Sequence, residues 1–316
     1  MSEFPVLHVV GLPAALFQEP AARELPGREL RGFDDEADFA ARVGEVEILF
    51  ALKPPRGHWA RAERLRFVQI MGAGVDALLP APDLSPDVRI ANGRGISGGV
   101  MAEHALAWML HFARRVPRNV EQQARREWRM YAPAALEGAT CGILGMGAIG
   151  EALAMRAKAF GMRVLATQRT PKPCPYADEV LASEGTERVL AESDYVVVIL
   201  PLTPETRGSL DAAMLSKLRP EAVLVNMARG GIVDEAALAT MLREGRLRGA
   251  SLDVFDEEPL PASSALWDVP NLVVTPHVAG FTRDYLPESF AIFADNLRRF
   301  ERGEPLVNEI DRDRGY

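Results

Sequence analysis

Cysteine is nearly absent: Cys141 and Cys174 are the only two in the chain. The first lies in an apolar run and the second among prolines, so neither a disulfide framework nor a thiolate metal site is expected. Histidine is also scarce, with five residues, and none has metal-ligand spacing to Asp or Glu. No block of Lys and Arg appears, and the formal charge is −8, which argues against a nucleic-acid surface. An acidic chain that takes an anionic ligand must use local arginines and backbone dipoles, not its net field. No apolar run reaches the length of a membrane span. The opening MSEFPVLHVV lacks the basic start and long apolar core of a signal peptide. These absences together point to the cytoplasm. Aromatics make up only 7% of the residues, so the cores are expected to rely on Ala, Val, Leu and Ile.

The chain does have length and apolar content. Its 316 residues, 48% of them hydrophobic, are enough for two domains. Short apolar runs at Val6–Val10, Glu47–Ala51, Phe67–Met71 and Val88–Ala91 read as strands, and Asp35–Val43 reads as a helix. Residues 12–34, rich in Pro, Gly and charge, carry no clear periodicity. A long helix from Val100 to about Arg115 follows, with Ala102, Ala105, Leu106, Met109 and Leu110 on one face. Pro117 and the polar stretch to Trp128 read as a crossing between domains. A second series of strands is expected at Arg163–Thr167, Tyr195–Leu200, Ala222–Asn226, Gly249–Val254 and Leu272–Thr275, with a helix at Asp234–Glu244. Near-continuous Val/Leu/Ile runs are what parallel strands buried on both faces require. A last helix, Glu288–Arg302, carries Phe290, Phe293, Ala294 and Leu297 on one face and should return to the first domain.

The fold class expected is α/β, with two doubly wound parallel-sheet domains. The first would be discontinuous, residues 1–97 and 285–316. The second, residues 98–284, would be inserted into it.

Gly145-Met146-Gly147-Ala148-Ile149-Gly150 sits between the apolar run Thr140–Leu144 and an Ala-rich helical run from Glu151 to Phe160. A G-x-G-x-x-G match alone is weak, but strand, Gly-rich turn and helix in that order make it a dinucleotide site. Gly145 permits the tight turn. Gly147, without a Cβ, lets backbone approach a pyrophosphate. Gly150 lets the helix pack closely on the strand. The helix N-terminus, starting at Ala148 and Ile149, offers N–H groups and a positive dipole end.

Three polar residues each follow a predicted buried strand: Arg229, Glu258 and His277. In open parallel sheets, ligands bind beyond the strand C-terminal ends. A guanidinium there can hold a carboxylate with two parallel hydrogen bonds. A His beside a carboxylate keeps its proton near neutral pH and can act as general acid to a carbonyl oxygen. Each residue alone has an ordinary explanation as a cap, an exposed acid or a loop histidine. Their shared topological position behind a dinucleotide turn favours the catalytic reading.

Seven stretches then carry a resemblance. They are GAGVDAL (72–78), MAEHALAWML (101–110), GILGMGAIG (142–150), LPLTPETRG (200–208), VNMARGGIVDEAAL (225–238), LDVFDEEPL (252–260) and TPHVAG (275–280). In this order they resemble the D-isomer-specific 2-hydroxyacid dehydrogenases, which include glyoxylate/hydroxypyruvate reductases. The resemblance covers about Phe67 to Asn308. It implies a Rossmann cofactor domain inserted into a flavodoxin-like substrate domain, with a cleft between them. The implied reaction is reversible hydride transfer between a nicotinamide and C2 of a small 2-keto acid. It further implies that Arg229, Glu258 and His277 are the catalytic Arg, Glu and His. Backbone at Ala73 and Gly74 would hold the substrate carboxylate, and Asn92 would line the same site. Asp253 would orient the nicotinamide amide. Pro201, Thr206, Met227 and Gly280 would contact the cofactor. A homodimer built around the helix Val100–Leu110 is expected as well.

The chain departs from the family at the end of the strand Arg163–Thr167, where an acid would accept the adenosine ribose hydroxyls. Gln168-Arg169-Thr170 stands there instead. Loss of the acid removes repulsion of a 2′-phosphate, and Arg169 and Thr170 can donate bonds to it. NADP(H) is therefore the expected cofactor, with NAD(H) the alternative. Residues 12–45 also depart from the family pattern. Two other readings share this fold: a nucleotide-sensing regulator, and a dehydrogenase of the formate or phosphite type. Turnover of a 2-keto acid separates both from the reductase.

Overall fold

The computed structural model describes residues 5–312. Residues 1–4 and 313–316, expected as the two ends of the first domain, lie outside the described residues. Ser97–Phe281 form one compact unit, and the described residues on either side of it form the other.

The flanking unit is built on five parallel strands: β1 (Leu7–Val10), β2 (Leu30–Gly32), β3 (Ile48–Ala51), β4 (Phe67–Ile70) and β5 (Arg89–Asn92). Their order is β2-β1-β3-β4-β5, the doubly wound arrangement of flavodoxin-like sheets. The strand period of two sends alternate residues to opposite faces. Leu49, Ala51, Val68 and Ile70 pack on one side with Phe39, Val43 and Trp59. Leu7, Val9, Ile48, Phe50 and Phe67 pack on the other with Phe17, Phe290, Phe293 and Leu297. The last three come from the long helix Tyr285–Glu301. This core departs from the expected reliance on Ala, Val, Leu and Ile, which the inserted unit keeps. Six of the thirteen phenylalanines meet here, with Phe50 and Phe293 stacked at 4.7 Å between ring centroids.

The inserted unit has seven parallel strands: β6 (Thr140–Leu144), β7 (Arg163–Thr167), β8 (Glu179–Leu181), β9 (Tyr195–Val198), β10 (Val223–Asn226), β11 (Gly249–Leu252) and β12 (Leu272–Val274). Their order is β12-β11-β10-β9-β6-β7-β8, so chain direction across the sheet reverses beside β6. That is the doubly wound dinucleotide-binding order, with one more strand at the edge. Helices Gly98–Ala113 and Ala148–Ala159 cover one face through Ala102, Ala105, Met109, Leu153, Ala154 and Ala157. Helix Glu235–Arg243 and its neighbours cover the other through Leu238, Ala239 and Leu242. Asp234 caps that helix by accepting from Ala237 N at 2.9 Å.

Two features differ from the sequence reading. The segment read as a crossing between domains contains a helix, Val116–Ala124, and lies wholly within the inserted unit. Pro117 sits in its first turn, where a missing N–H costs nothing, so it starts a helix and does not break one. The unassigned stretch 12–34 holds the helix Gln18–Glu24 and the edge strand β2. Among the described residues no helix is long and apolar enough to cross a membrane.

Candidate active site

Because all seven strands of the inserted unit are parallel, their C-terminal ends share one edge of the sheet. The turn after β6 opens that edge. Gly145 has φ +109°, and a Cβ there would stand 2.8 Å from the Ile199 carbonyl oxygen just past β9. Only glycine fits both the conformation and that approach. At Gly150 a Cβ would meet the Gly145 carbonyl at 2.8 Å and Ile143 Cγ2 at 3.3 Å, so the helix seats directly on the turn. At Gly147 a Cβ would meet nothing within 4 Å. The close packing at Gly145 and Gly150 therefore leaves open space over Gly147, at the mouth of a helix with no side-chain cap. Open space over backbone N–H groups at a helix N-terminus fits a dinucleotide pyrophosphate.

Gln168 follows β7 and is half-buried, whereas Arg169 and Thr170 are exposed. Across the sheet, the Thr206 hydroxyl donates to the Pro201 carbonyl at 2.6 Å, which closes the turn after β9. The Thr203 hydroxyl accepts from Thr206 N at 3.3 Å in the same turn. Met227 is buried directly after β10.

The ends of β10, β11 and β12 lie side by side and carry the three ionisable residues. Arg229 is half-buried, and its Nη1 donates to the Ala228 carbonyl at 2.7 Å. The next residue locks two loops together. A Cβ on Gly230 would stand 1.9 Å from the Phe255 carbonyl oxygen, so the Arg229 loop lies flat on the loop that carries Glu258. Gly231 N donates to Asp256 Oδ1 at 2.6 Å across the same seam. The Glu258 carboxylate spans two partners. Oε1 accepts from Phe255 N at 3.2 Å, and Oε2 lies 2.8 Å from His277 Nδ1.

His277 has φ +55°, a left-handed conformation that is uncommon for a bulky residue and is tolerated where the surroundings over-determine it. Asp253, 1% exposed, supplies much of that constraint. Its Oδ1 accepts from the Thr275 hydroxyl at 2.6 Å and from Val278 N at 2.9 Å. Its Oδ2 accepts from Ala279 N at 2.8 Å. One buried carboxylate thus holds the Thr275 side chain on one side of His277 and the Val278 and Ala279 backbone on the other. Ser97 Oγ donates to the Gly280 carbonyl at 3.2 Å and ties down the end of the same loop. With Nδ1 facing a carboxylate, the imidazole presents Nε2 from a side chain that is 34% exposed. That geometry suits proton delivery by Nε2 with Nδ1–H held.

In the flanking unit, Ala73 is exposed and Gly74 half-buried, on the loop after β4. Asn92 is 1% exposed at the end of β5. Its Nδ2 donates to the Ala73 carbonyl at 2.6 Å, and its Oδ1 accepts from Arg94 N at 3.2 Å. Gly93 reinforces that brace, since a Cβ there would lie 2.1 Å from the Met71 carbonyl oxygen. Asn92 therefore shapes the Ala73–Gly74 loop.

The structure brings Glu258 and His277 into direct contact, seats the Arg229 loop against the loop that carries Glu258 through Gly230, and joins Asn92 to Ala73. Sequence reasoning missed the locking residues Gly230, Asp256, Thr275 and Ser97. Only the Gly-Gly pair after Arg229 carried a local signal for one of them.

Residues 106–279 match the family model for the D-isomer specific 2-hydroxyacid dehydrogenase NAD binding domain. A glyoxylate/hydroxypyruvate reductase A from Photorhabdus laumondii is 33% identical over 299 residues, 90% of this chain and 90% of the relative. Two solved structures superpose with a TM-score of 0.87. One is a D-isomer specific 2-hydroxyacid dehydrogenase from Xanthobacter autotrophicus in complex with NADPH and MES, 36% identical and covering 99% of both chains. The other is an NADPH-dependent glyoxylate/hydroxypyruvate reductase from Sinorhizobium meliloti in complex with NADP and sulfate, 32% identical, covering 99% of this chain and 100% of that one.

Proposed function

The chain belongs to the D-isomer specific 2-hydroxyacid dehydrogenase family, and from that premise we propose that it reduces a small 2-keto acid to the D-2-hydroxy acid with NADPH. The observation that carries this reading is the Glu258–His277 pair, held at 2.8 Å on the same sheet edge as the Gly145–Gly150 turn.

The family resemblance implies the residue roles, and the geometry at Gly147, Glu258 and His277 supports them. Backbone N–H groups at Gly147, Ala148 and Ile149 receive the pyrophosphate, with Gly145 and Gly150 shaping the turn. Pro201, Thr206, Met227 and Gly280 would hold the cofactor, and Asp253, which fixes the His277 loop, would orient the nicotinamide amide. Gln168, Arg169 and Thr170 form the 2′-phosphate end. When bound, the nicotinamide supplies a hydride to C2 of the keto acid and leaves oxidised. Arg229 holds the substrate carboxylate and polarises the carbonyl. His277 Nε2 gives its proton to the carbonyl oxygen, so a C–H and an O–H bond form as the C=O π bond is lost. Glu258 holds Nδ1–H and stabilises the positive ring. Backbone at Ala73 and Gly74, braced by Asn92, binds the substrate carboxylate.

Residues 69–79 contain no Lys or Arg, which supports unphosphorylated acids such as glyoxylate or hydroxypyruvate. The inserted unit, Ser97–Phe281, is the dinucleotide-binding domain, and the flanking unit is the substrate domain. Two unpaired cysteines suit a reducing cytoplasm.

The protein works as a homodimer. The apolar face of Gly98–Ala113 is consumed inside its own unit, where Ala102, Ala105 and Met109 are buried. The surface that favours a dimer is next to it: Trp128 is 94% exposed, Met130 91% and Val120 60%. A monomer in light scattering at micromolar concentration would rule the dimer out.

The test of function is a panel of 2-keto acids assayed with NADPH and NADH. Turnover of glyoxylate or hydroxypyruvate, with kcat/KM higher for NADPH, is the expected result. Binding of cofactor without turnover of any keto acid would favour a regulator. Strong preference for a phosphorylated keto acid would contradict the substrate reading.

A further inference from the structure

In the sequence, Gln168 stands where an acid is absent. The structure shows it as a joint. Its Nε2 donates to the Met146 carbonyl at 2.6 Å, inside the Gly-rich turn. Its Oε1 accepts from Lys172 N at 3.0 Å, which closes the loop that contains Arg169 and Thr170. A carbonyl can only accept and an N–H can only donate, so chemistry fixes which way the amide faces. Backbone bonds complete the joint. Thr167 O accepts from Gly145 N at 3.2 Å and from Met146 N at 2.8 Å, and Gln168 N donates to Leu181 O at 2.9 Å on β8. The turn after β6 and the loop after β7 are thus one hydrogen-bonded piece with Gln168 at its centre.

We propose that Gln168 determines cofactor choice as a positioning residue: it braces the 168–172 loop against the Gly-rich turn, so that Arg169 and Thr170 are ordered for a 2′-phosphate before the ligand arrives. This inference rests on the NADPH reading above. Arg169 and Thr170 are exposed, and an exposed loop left unbraced would lose conformational freedom on binding. Bracing removes that cost from the binding step. Both bonds of the Gln168 side chain go to backbone, so the brace depends on the amide's reach and on its having a donor and an acceptor. Glutamate keeps the acceptor for Lys172 N, loses the donor to Met146 O and adds a charge. Asparagine is neutral but one methylene too short to span both partners. Methionine keeps length and neutrality and loses both bonds.

The experiment is calorimetric titration of the full chain with adenosine 2′,5′-bisphosphate and with 5′-AMP, so the readout is binding and not turnover. Thermal unfolding of each variant is recorded alongside. Gln168→Met is expected to weaken the bisphosphate by up to about thirtyfold, the loss expected from two hydrogen bonds of ordinary strength. Its 5′-AMP affinity should change by less than about threefold. Gln168→Asn, the second neutral variant, should fall in the same direction, and Gln168→Glu should fall further. If Gln168→Met and Gln168→Asn bind the bisphosphate like the wild type while Gln168→Glu does not, Gln168 acts only by lacking a charge, and the brace is overturned. If the wild type binds neither probe, the dinucleotide reading itself fails and takes the brace with it.

Discussion

The inserted unit and the flanking unit use the same architecture and different means of holding it. The inserted unit packs aliphatic strands such as Tyr195–Val198 and Val223–Asn226 between Ala-rich helices, and its special positions are glycines at strand ends. The flanking unit packs phenylalanine on phenylalanine, and its special positions are mainly buried amides, with Gly93 beside Asn92. Asn296 Nδ2 donates to Gln69 Oε1 at 2.8 Å, and Asn92 holds Ala73. Chemistry that must approach a ligand with bare backbone falls to glycine. A loop that must present its backbone at fixed geometry is held by side-chain amides.

The sharpest way to break this comparison is in the cores. Phe50 is fully buried among Phe17, Phe290 and Phe293. Phe50→Ala should cost about 3–5 kcal/mol. Val197→Ala, at an equally buried site on β9, should cost about 2 kcal/mol. Urea midpoints of the two variants decide it, and equal losses would remove the distinction between the cores.

Within the inserted unit, glycines divide into locks and openings. Gly230→Ala drives a methyl into the Phe255 carbonyl and should cost about 1–3 kcal/mol or more. Gly147→Ala has space for its methyl and an extended backbone. It should leave stability within about 0.5 kcal/mol of the wild type and raise the KM for NADPH. A stable Gly230→Ala, or a Gly147→Ala that binds cofactor normally, contradicts the division.

The flanking unit should also carry a pH sensitivity through His8. The His8 ring is buried against Phe33. Burial first, and then the charges of Arg42 and Arg31, hold its pKa below the usual 6.5, while Glu45 opposes them. The unfolded chain therefore binds the proton more readily. The stability associated with neutral His8 is complete above about pH 6.5 and is lost as pH falls toward the folded value. His8→Gln should flatten the stability profile between about pH 7 and 5. A wild-type profile as flat as the variant's would sink the assignment.

The smallest effect concerns the thiols. Burial in β6 pushes Cys141 up to about 12, whereas Cys174 is half-buried on a loop. A disulfide reagent should titrate one thiol in the native protein and two in denaturant.

The inserted unit was the more legible of the two. The Gly145–Gly150 turn and the residues after β10, β11 and β12 are local patterns, and strand periodicity placed them. What escaped was non-local or short. Gln168 and Asn92 bond to carbonyls 22 and 19 residues away, which no spacing rule links. The edge strands Leu30–Gly32 and Glu179–Leu181 are three residues long and only partly buried, too short for an alternation to register. Pro117 carries an ambiguous local signal, because a proline breaks a helix interior but starts a helix from its first turn. The aromatic core was invisible to composition, since an average over the chain hides where a few phenylalanines meet.

The central claim is that His277, oriented by Glu258, delivers the proton in a keto-acid reduction. The most direct measurement is kcat with NADPH and glyoxylate or hydroxypyruvate for the wild type and His277→Gln, with NADPH affinity measured on both by fluorescence. The account predicts a loss of about 10²–10⁴ in kcat with NADPH affinity essentially unchanged. Wild-type turnover retained by His277→Gln would contradict it.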